Sequence, residues 1–424
     1  MKIHIDIDCF FVSALRTKDA TLKGKPVAIG GRTDTKIFEQ NAVAQKVDFQ
    51  NNGSFVPTFY KDYEQKDDDL ANFTDHDGKI RGILTTASYE ARSYGVKTAM
   101  RIEEALKLCP SLIIKAPNMT LFQQLSHQLH HFLSLEIPLV EQASIDEFFG
   151  DLSGWIKDDE VISFCKMLQQ KINKELDLPV SIGIAKTRFI AKLATTMAKP
   201  YGVFYVNEAK KEQFLQNIPI EEFPGIGRST KRYLYASGIY TLGELQKRKA
   251  RLEAFGAYGK RLYRRIFEGE DEVIKPKKER KSIGISRTIT PLYDRKELQR
   301  RVFVLARHLS FAVMKLEVFP TRYGISLKYE MGKKSSFALS DTTLFSETYF
   351  FTIVQKLLTK VDTYKQLHII RISLYCTNFT KTTKKELDIT TFYKEQKRRD
   401  LSEKLLQIRE KYGLDIIKNA KELE

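Results

Sequence analysis

Residues 2–8 read K-I-H-I-D-I-D, a strict alternation of polar and apolar side chains. An extended strand is the conformation that sorts a period of two onto separate faces. Ile3, Ile5 and Ile7 then share one face, and His4, Asp6 and Asp8 share the other. The isoleucine face demands a core. The opposite face carries two carboxylates, and carboxylates taken out of water need a cation or a hydrogen-bonding partner. The first strand must therefore sit in a sheet that is apolar on one side and solvated or cation-bearing on the other. Acids inside this apolar stretch argue against a secretory leader, whose apolar core carries no charge. A cytoplasmic location is expected, and no run of about 18 apolar residues suggests a membrane span.

A second acidic pair, Asp146 and Glu147, stands in A-S-I-D-E-F-F, within an apolar run that reads as a hairpin. Adjacent strand residues point to opposite faces, so one carboxylate would turn inward unless the strand ends there. Two readings stay open from the residues alone: a solvated hairpin, or a metal site shared with the first strand. A site built from these acids would offer oxygen donors only, the set that suits Mg²⁺ and its phosphate ligands. Paired ions of that kind, about 3.5–4 Å apart, stabilise the attacking and leaving oxygens of phosphoryl transfer.

Three further motifs bear on anion binding. S-Y-E-A-R at Ser88–Arg92 reads as a strand end that opens a helix, whose first amides can meet an anion. Tyr89 and Arg92 share a helix face, and Arg suits two-point phosphate contact; an ordinary helix start with an exposed Arg is the alternative. Lys192, in F-I-A-K-L-A-T-T-M-A-K-P, is either a second phosphate cation or a surface lysine. F-P-G-I-G-R-S-T at Phe223–Thr230 looks like a helix–hairpin–helix turn, which grips a nucleic-acid backbone without reading bases. Gly225 and Gly227 would free backbone amides there, and Arg228 and Lys231 follow at once. A plain helix–helix turn is the alternative, and F-G-A-Y-G-K at Phe255–Lys260 is a weaker second candidate.

Charge points the same way. The 424 residues hold 70 Lys and Arg against 53 acids, a net charge of +17. Such an excess suggests a polyanion, most simply nucleic acid. It is concentrated in 247–287, where 14 basic residues meet six acids; a solvated linker is the alternative. Cys9, Cys109, Cys165 and Cys376 are far apart and form no C-x-x-C, which argues against zinc and structural disulfides.

From about residue 83 to Pro200 the pattern runs strand, helix, hairpin, helix, strand, and predicts an α+β sheet covered by helices on one face. Residues 200–270 read as mostly helical, and 282–378 as a second α+β unit followed by a charged helical stretch. Residues 33–80 differ: ten acids, five lysines and weak periodicity predict a long polar insertion that adds no core of its own; it is either a solvent-facing elaboration or a partner-docking or lid element.

Taken in order, D-I-D-C-F-F, L-K-G-K-P, S-Y-E-A-R-x-x-G-V, A-S-I-D-E, S-I-G-I-A with A-K-L-A and M-A-K-P, and F-P-G-I-G resemble the DinB/UmuC branch of the Y-family DNA polymerases, the polymerase IV type. The likeness covers residue 1 to about 275; R-K-S-I-G fits the start of the last domain, and beyond 290 it is one of length and pattern. The resemblance implies an α+β multidomain right hand. Its palm is 1–10 and 118–199, and its fingers are 11–117 with the insertion at 33–80. A helical thumb at 200–275, a basic linker at 276–280, a DNA-binding little finger at 281–378 and a charged tail at 379–424 complete it.

The same resemblance implies a low-fidelity, DNA-template-directed DNA polymerase of translesion synthesis and DNA repair, lacking a 3′–5′ exonuclease. Asp6, Asp146 and Glu147, with the carbonyl of Ile7, would hold two Mg²⁺ ions, for which Mn²⁺ can substitute. Tyr89, Arg92 and Lys192 would bind the triphosphate of the incoming dNTP. Phe11 would crowd the sugar 2′ position, with Phe10 beside it. Gly225, Gly227, Arg228, Lys231, Lys277, Lys278, Arg280, Lys281 and Arg287 would meet primer–template DNA. A monomer is expected, with a sliding clamp as a further partner through the tail. That tail lacks a Q-L-x-L-F peptide, and E-L-D-I-T-T-F at Glu386–Phe392 is a distant echo of one. Two rivals remain: a non-catalytic relative, which would lose the carboxylates, and a nucleotide cyclase, which has no use for the hairpin turn and basic connector.

Overall fold

The structure is a computed structural model that describes residues 1–32, 36–39, 46–47, 59–60, 62–63, 69–75, 77–276, 279–380 and 389–422. The expectations for Lys277 and Lys278 lie outside these residues. The chain divides into two compact units: one holds 1–31 and most of 62–276, and the other holds 279–422 together with 32, 36–39, 46–47 and 59–60.

In the first unit, β1 (Lys2–Ile7) buries Ile3, Ile5 and Ile7 almost completely. Cys9 adopts a left-handed conformation (φ 47°) and turns the chain into α1 (Phe10–Arg16). Next comes a three-stranded sheet of β2 (Val27–Gly31), β5 (Ile83–Ala87) and β6 (Ile113–Lys115), with β2 in the middle. Between β2 and β5 in the chain come two short paired strands, β3 (Lys46–Val47) and β4 (Phe59–Tyr60), which belong to the second unit. The helices α2 (Tyr89–Ser93) and α3 (Ile102–Leu108) follow β5. Ser88 caps α2 through its side chain, which also accepts the Val27 N–H.

The chain then returns through α4 (Met119–Glu136), β7 (Leu139–Gln142), β8 (Glu147–Asp151), α5 (Val161–Leu176), β9 (Val180–Ala185), α6 (Arg188–Ala198) and β10 (Val203–Tyr205). The resulting sheet has the order β10–β9–β1–β8–β7, with β1 central and antiparallel to both neighbours. Helices were expected on one face only. The structure puts α6 on the face of His4 and Asp6: a Cβ on Gly183, the register partner of His4, would collide with the backbone of Ala191 and Thr195 in α6. Ile137, just past α4, lies on the isoleucine face. Both sides of the sheet are therefore covered, and the acids of β1 are roofed by a helix.

Five helices complete the unit: α7 (Lys211–Gln216), α8 (Arg228–Ala236), α9 (Leu242–Gln246), α10 (Lys249–Glu253) and α11 (Gly256–Phe267). Phe223, Leu234, Leu262 and Ile266 form their core together with Ile190 and Leu193 of α6.

The second unit is an antiparallel sheet of order β11–β14–β12–β13, made of β11 (Ser282–Leu292), β12 (Phe319–Tyr329), β13 (Lys334–Ser340) and β14 (Ile369–Thr380). The helices α12 (Arg295–Lys315) and α13 (Glu347–Val361) bury one face, where Ile285, Leu305, Ile325, Val354 and Leu374 meet. The period-two pattern of each strand sends the other residues to an open, polar face.

The expectation for the insertion needs correction. The insertion is not wholly solvent-facing. Ile37 and Phe38 join the core of the second unit, and Arg300 donates to the Phe38 carbonyl at 2.9 Å. Phe73 is fully buried in the first unit, against Gly30, where any Cβ would strike its ring. Buried Asp69 accepts the Ala116 N–H at 2.9 Å. Isolated apolar residues in a polar stretch gave no period to read, yet each fills a specific gap. Of the insertion's other apolar residues, Val43, Phe49, Phe55 and Val56 lie outside the described residues.

The charged stretch is helical, as its sequence suggests. It forms α14 (Ile389–Tyr412) and buries Glu395, Arg399, Ser402 and Arg409 against the second unit. Arg409 pairs with Glu347, to which the Ser310 hydroxyl also donates at 2.8 Å. Arg307, 1% exposed, is held by Glu422 at 2.9 Å and Asp415 at 2.6 Å. Charged residues in a sequence read as surface, but here Arg307, Arg399 and Arg409 each meet a carboxylate, and buried Glu395 accepts the Leu344 N–H at 3.1 Å.

Candidate active site

The register of β1 and β8 puts Asp6 directly opposite Glu147, so the two side chains share a face. Asp146 precedes β8 and belongs to the tight turn after β7. The strand does end there, and the alternation that would have sent one acid inward does not apply. The Asp146 carbonyl accepts the Ile7 N–H at 3.0 Å, which pins this turn to the end of β1. Ser144 shapes the turn: its hydroxyl accepts the Glu147 N–H at 3.1 Å and donates to the Asp146 carboxylate at 2.5 Å.

The helix on this face supplies the counter-charges. Lys192, Thr195 and Lys199 stand three and four residues apart and form one stripe along α6 and its end. Lys192 pairs with Glu147 at 2.7 Å, and Lys199 pairs with Asp6 at 2.6 Å. Thr195 shares a 2.8 Å hydrogen bond with the Nδ1 of His4. Burial holds His4 at about 4, so the ring is neutral near pH 7. Burial pushes Asp6 up to about 7 despite Lys199, with the neighbouring Asp146 and Glu147 adding to the rise. Burial also raises Asp146, against its Ser144 bond. Burial acts on Glu147 too, but the facing His4 and Lys192 more than offset it and hold that carboxyl down at about 2.

As they stand, no three acidic, histidine or cysteine side chains among the described residues form a group that could hold a metal ion. The reason is visible: Glu147 is turned onto Lys192, Asp6 onto Lys199 and Asp146 onto Ser144. The donor chemistry nonetheless fits a hard divalent cation, because three carboxylates are gathered at one sheet end and two of them are raised by burial.

Asp8 has a different job. Its buried carboxylate accepts from Ser181 at 2.9 Å, the Tyr201 N–H at 2.7 Å and Tyr89 at 3.0 Å. It ties the end of β1 to β9, α2 and the turn after α6. Tyr89 is thus engaged by Asp8. Arg92 lies 5.2 Å from the centre of the Tyr89 ring and donates to the Ala87 carbonyl. Phe11 is half-buried and stacks on Phe122 at 4.5 Å, whereas Phe10 is 3% exposed and belongs to the core. The sequence reading missed Lys199 and His4. The available signals were the seven-residue spacing from Lys192 to Lys199 and the place of His4 on the acidic face.

Away from this centre, Gly225 (φ 109°) makes the turn before α8, a conformation that favours glycine. Gly227 caps α8 without a side chain, so the first amides of that helix have no side-chain cap. Arg228 is exposed, but Lys231 is held by Glu221 at 2.7 Å. In the second unit, the open sheet face carries a row of hydroxyls: Ser286 faces Ser373, which faces Ser326, which faces Ser336. One row away lie Thr288, Arg371, Lys328 and Lys334. Lys281 is exposed at the start of this sheet, and Arg280 and Arg287 are partly buried.

A sheet-and-helix unit with buried carboxylates, a helical bundle and a separate antiparallel sheet domain together have the architecture of the Y-family DNA polymerases. A solved chimera of the Y-family polymerases Dbh and Dpo4 superimposes with a TM-score of 0.72 at 22% identity, over 90% of this chain and 99% of that one. The impB/mucB/samB family model matches residues 5–196, and the model of that family's C-terminal domain matches residues 280–389. DNA polymerase IV of Pasteurella multocida is 30% identical over 347 residues, 79% of this chain and 82% of that protein. DNA polymerase IV of Oceanobacillus iheyensis is 28% identical over 99% of this chain and 91% of its own length. The chain belongs to the impB/mucB/samB family of DinB-type Y-family DNA polymerases.

Proposed function

We propose that this DNA-directed DNA polymerase performs low-fidelity translesion synthesis, extending a primer 3′-hydroxyl with dNTPs at Asp6, Asp146 and Glu147 and lacking a 3′–5′ exonuclease. One observation carries the reading: Asp6 and Glu147 face each other across the β1–β8 ladder, Asp146 adjoins them, and one α6 stripe aims two lysines at them. Asp6, Asp146, Glu147 and the Ile7 carbonyl would hold a pair of Mg²⁺ ions, or Mn²⁺ in their place. Such ions, when bound, neutralise phosphate charge and favour the ionised 3′-hydroxyl.

The protein's own groups then position and neutralise. Lys192 and Lys199 rest on carboxylates that a cation would claim, and a triphosphate offers both ammonium groups a new partner. Arg92 adds a two-point phosphate contact. The division proposed is palm 1–10 and 118–199, fingers 11–117, thumb 200–275, linker 276–280 and little finger 281–378, with DNA held by the amides of α8 and by the open sheet face. Primer extension with Mg²⁺ across a template carrying a defined lesion tests the function, and failure on both damaged and undamaged templates refutes it. Loss of primer-terminal nucleotides in the absence of dNTP would refute the missing exonuclease.

Phe11→Ala should admit ribonucleotides. Its ring is braced by Phe122 and cannot swing aside freely, so truncation removes a clash at the sugar. The ratio of dNTP to rNTP incorporation should fall at least about tenfold, or ~1.4 kcal/mol. An unchanged ratio assigns the gate to another side chain.

DNA affinity should fall steeply with salt, at a slope near −0.9 in log K per phosphate neutralised. Lys328→Ala with Lys334→Ala should make that slope shallower by about one for each phosphate no longer neutralised. A slope indifferent to both changes would move the DNA track off this sheet.

A further inference from the structure

α14 buries a largely polar face and leaves an apolar stripe exposed beside it. The face turned to the second unit holds Glu395, Arg399, Ser402 and Arg409, all buried. Along one flank of that face runs an apolar stripe: Leu401 is 52%, Ile408 38% and Tyr412 62% exposed, and Leu405 is half-buried. These four stand four, three and four residues apart, which is the a/d spacing of a two-stranded seam. Lys397, Lys404 and Lys411 recur every seventh residue directly beside that seam and are exposed. The nearby acids are already engaged: Glu403 by Arg399 at 2.9 Å, Glu410 by Lys315 at 3.2 Å and Asp400 by Gln396 at 2.8 Å. The flank of the seam is therefore basic and its acids are spoken for.

We propose that this apolar stripe of α14, with the lysines beside it, docks an amphipathic helix of a partner protein that carries carboxylates beside its own apolar seam. Position and charge both lead there. The buried polar face already holds α14 helical, so a partner meets a preformed surface. Lysines at the flanking heptad position select acidic residues opposite them. A second copy of this chain is the wrong occupant. In an antiparallel pair lysine would face lysine, and like charges across a seam oppose pairing; in a parallel pair the position opposite Lys404 is Arg409, which is buried on Glu347 and offers no counter-charge.

The test uses the full chain and synthetic peptides of about 21 residues, three heptads with Leu at a and d and Glu at e and g. A second peptide carries Lys in place of Glu, and a third scrambles the Glu sequence to control for the general attraction of a +17 protein. Fluorescence anisotropy should show the Glu peptide bound and the scrambled and Lys peptides bound at least about tenfold more weakly. Reversing Lys397, Lys404 and Lys411 to Glu should exchange the preference between the Glu and Lys peptides. Leu401→Asp with Ile408→Asp should lose both, with primer extension and thermal unfolding unchanged. The proposal is overturned if the Glu and scrambled peptides bind equally or the triple reversal keeps the original preference. It is overturned too if the chain self-associates in sedimentation and Ile408→Asp abolishes that association.

Discussion

Replacing Asp6 or Asp146 by Ala should stop nucleotide addition while duplex binding stays near normal. The two properties separate because the acids sit at the end of β1 and in the β7–β8 turn, while the proposed backbone contacts lie on α8 and on the open sheet of the second unit. Loss of one charged donor at a phosphoryl-transfer centre removes stabilisation that appears only in the transition state. The expected fall in kcat/KM is at least about 10³, or ~4 kcal/mol. Asp6→Ala also strips Lys199 of its partner, so Asp6→Asn belongs beside it, as it keeps the shape and removes the charge. Extension within about tenfold of the wild type by either Asp6 variant would refute the carboxylate assignment.

Arg307→Met should unfold the second unit at a markedly lower temperature. The guanidinium is 1% exposed, and it answers Glu422, Asp415 and the Leu414 carbonyl at 2.6–2.9 Å from the Nη atoms and Nε. Removing one partner of a buried pair leaves the others charged and dry, at a cost of about 3–5 kcal/mol. Glu422 is itself raised by burial, against the pull of Arg307. The measurement is calorimetric unfolding of the whole chain, where a two-unit protein need not melt in one step. A loss below about 1 kcal/mol would mean that the tail contributes little to holding this unit together.

Local pattern was enough to mark the acids that the fold gathers at one sheet end. The alternation at residues 2–8 put Ile3, Ile5 and Ile7 in the core and His4 and Asp6 on the opposite face, because a period of two has one structural solution. Ser88, Asn118 and Thr187 cap α2, α4 and α6, where strand and loop residues give way to helical periodicity. The ordered motifs identified the family, which the family models bear out.

Other features depend on residues far apart in the chain. Whether Asp146 and Glu147 diverge or converge turned on where β8 begins, and the pinning of that turn to Ile7 decides it. Lys199 lies 193 residues after Asp6, and only the packing of α6 over β1 brings them together. Ile37, Phe38 and Phe73 lack a periodic setting, so their burial is fixed by the gaps that distant elements leave. The polar inner face of α14 looked like surface for the same reason: a charge is cheap to bury only where the fold delivers its counter-charge, and Glu347 and Arg409 meet 62 residues apart. The sequence by itself determined the strands, the helix starts, the acids and the family, since these follow from neighbours within a turn or a pleat. The tertiary structure alone decided which lysines answer the acids and which charges and insertion residues are interior, since those follow from contacts that no local pattern encodes.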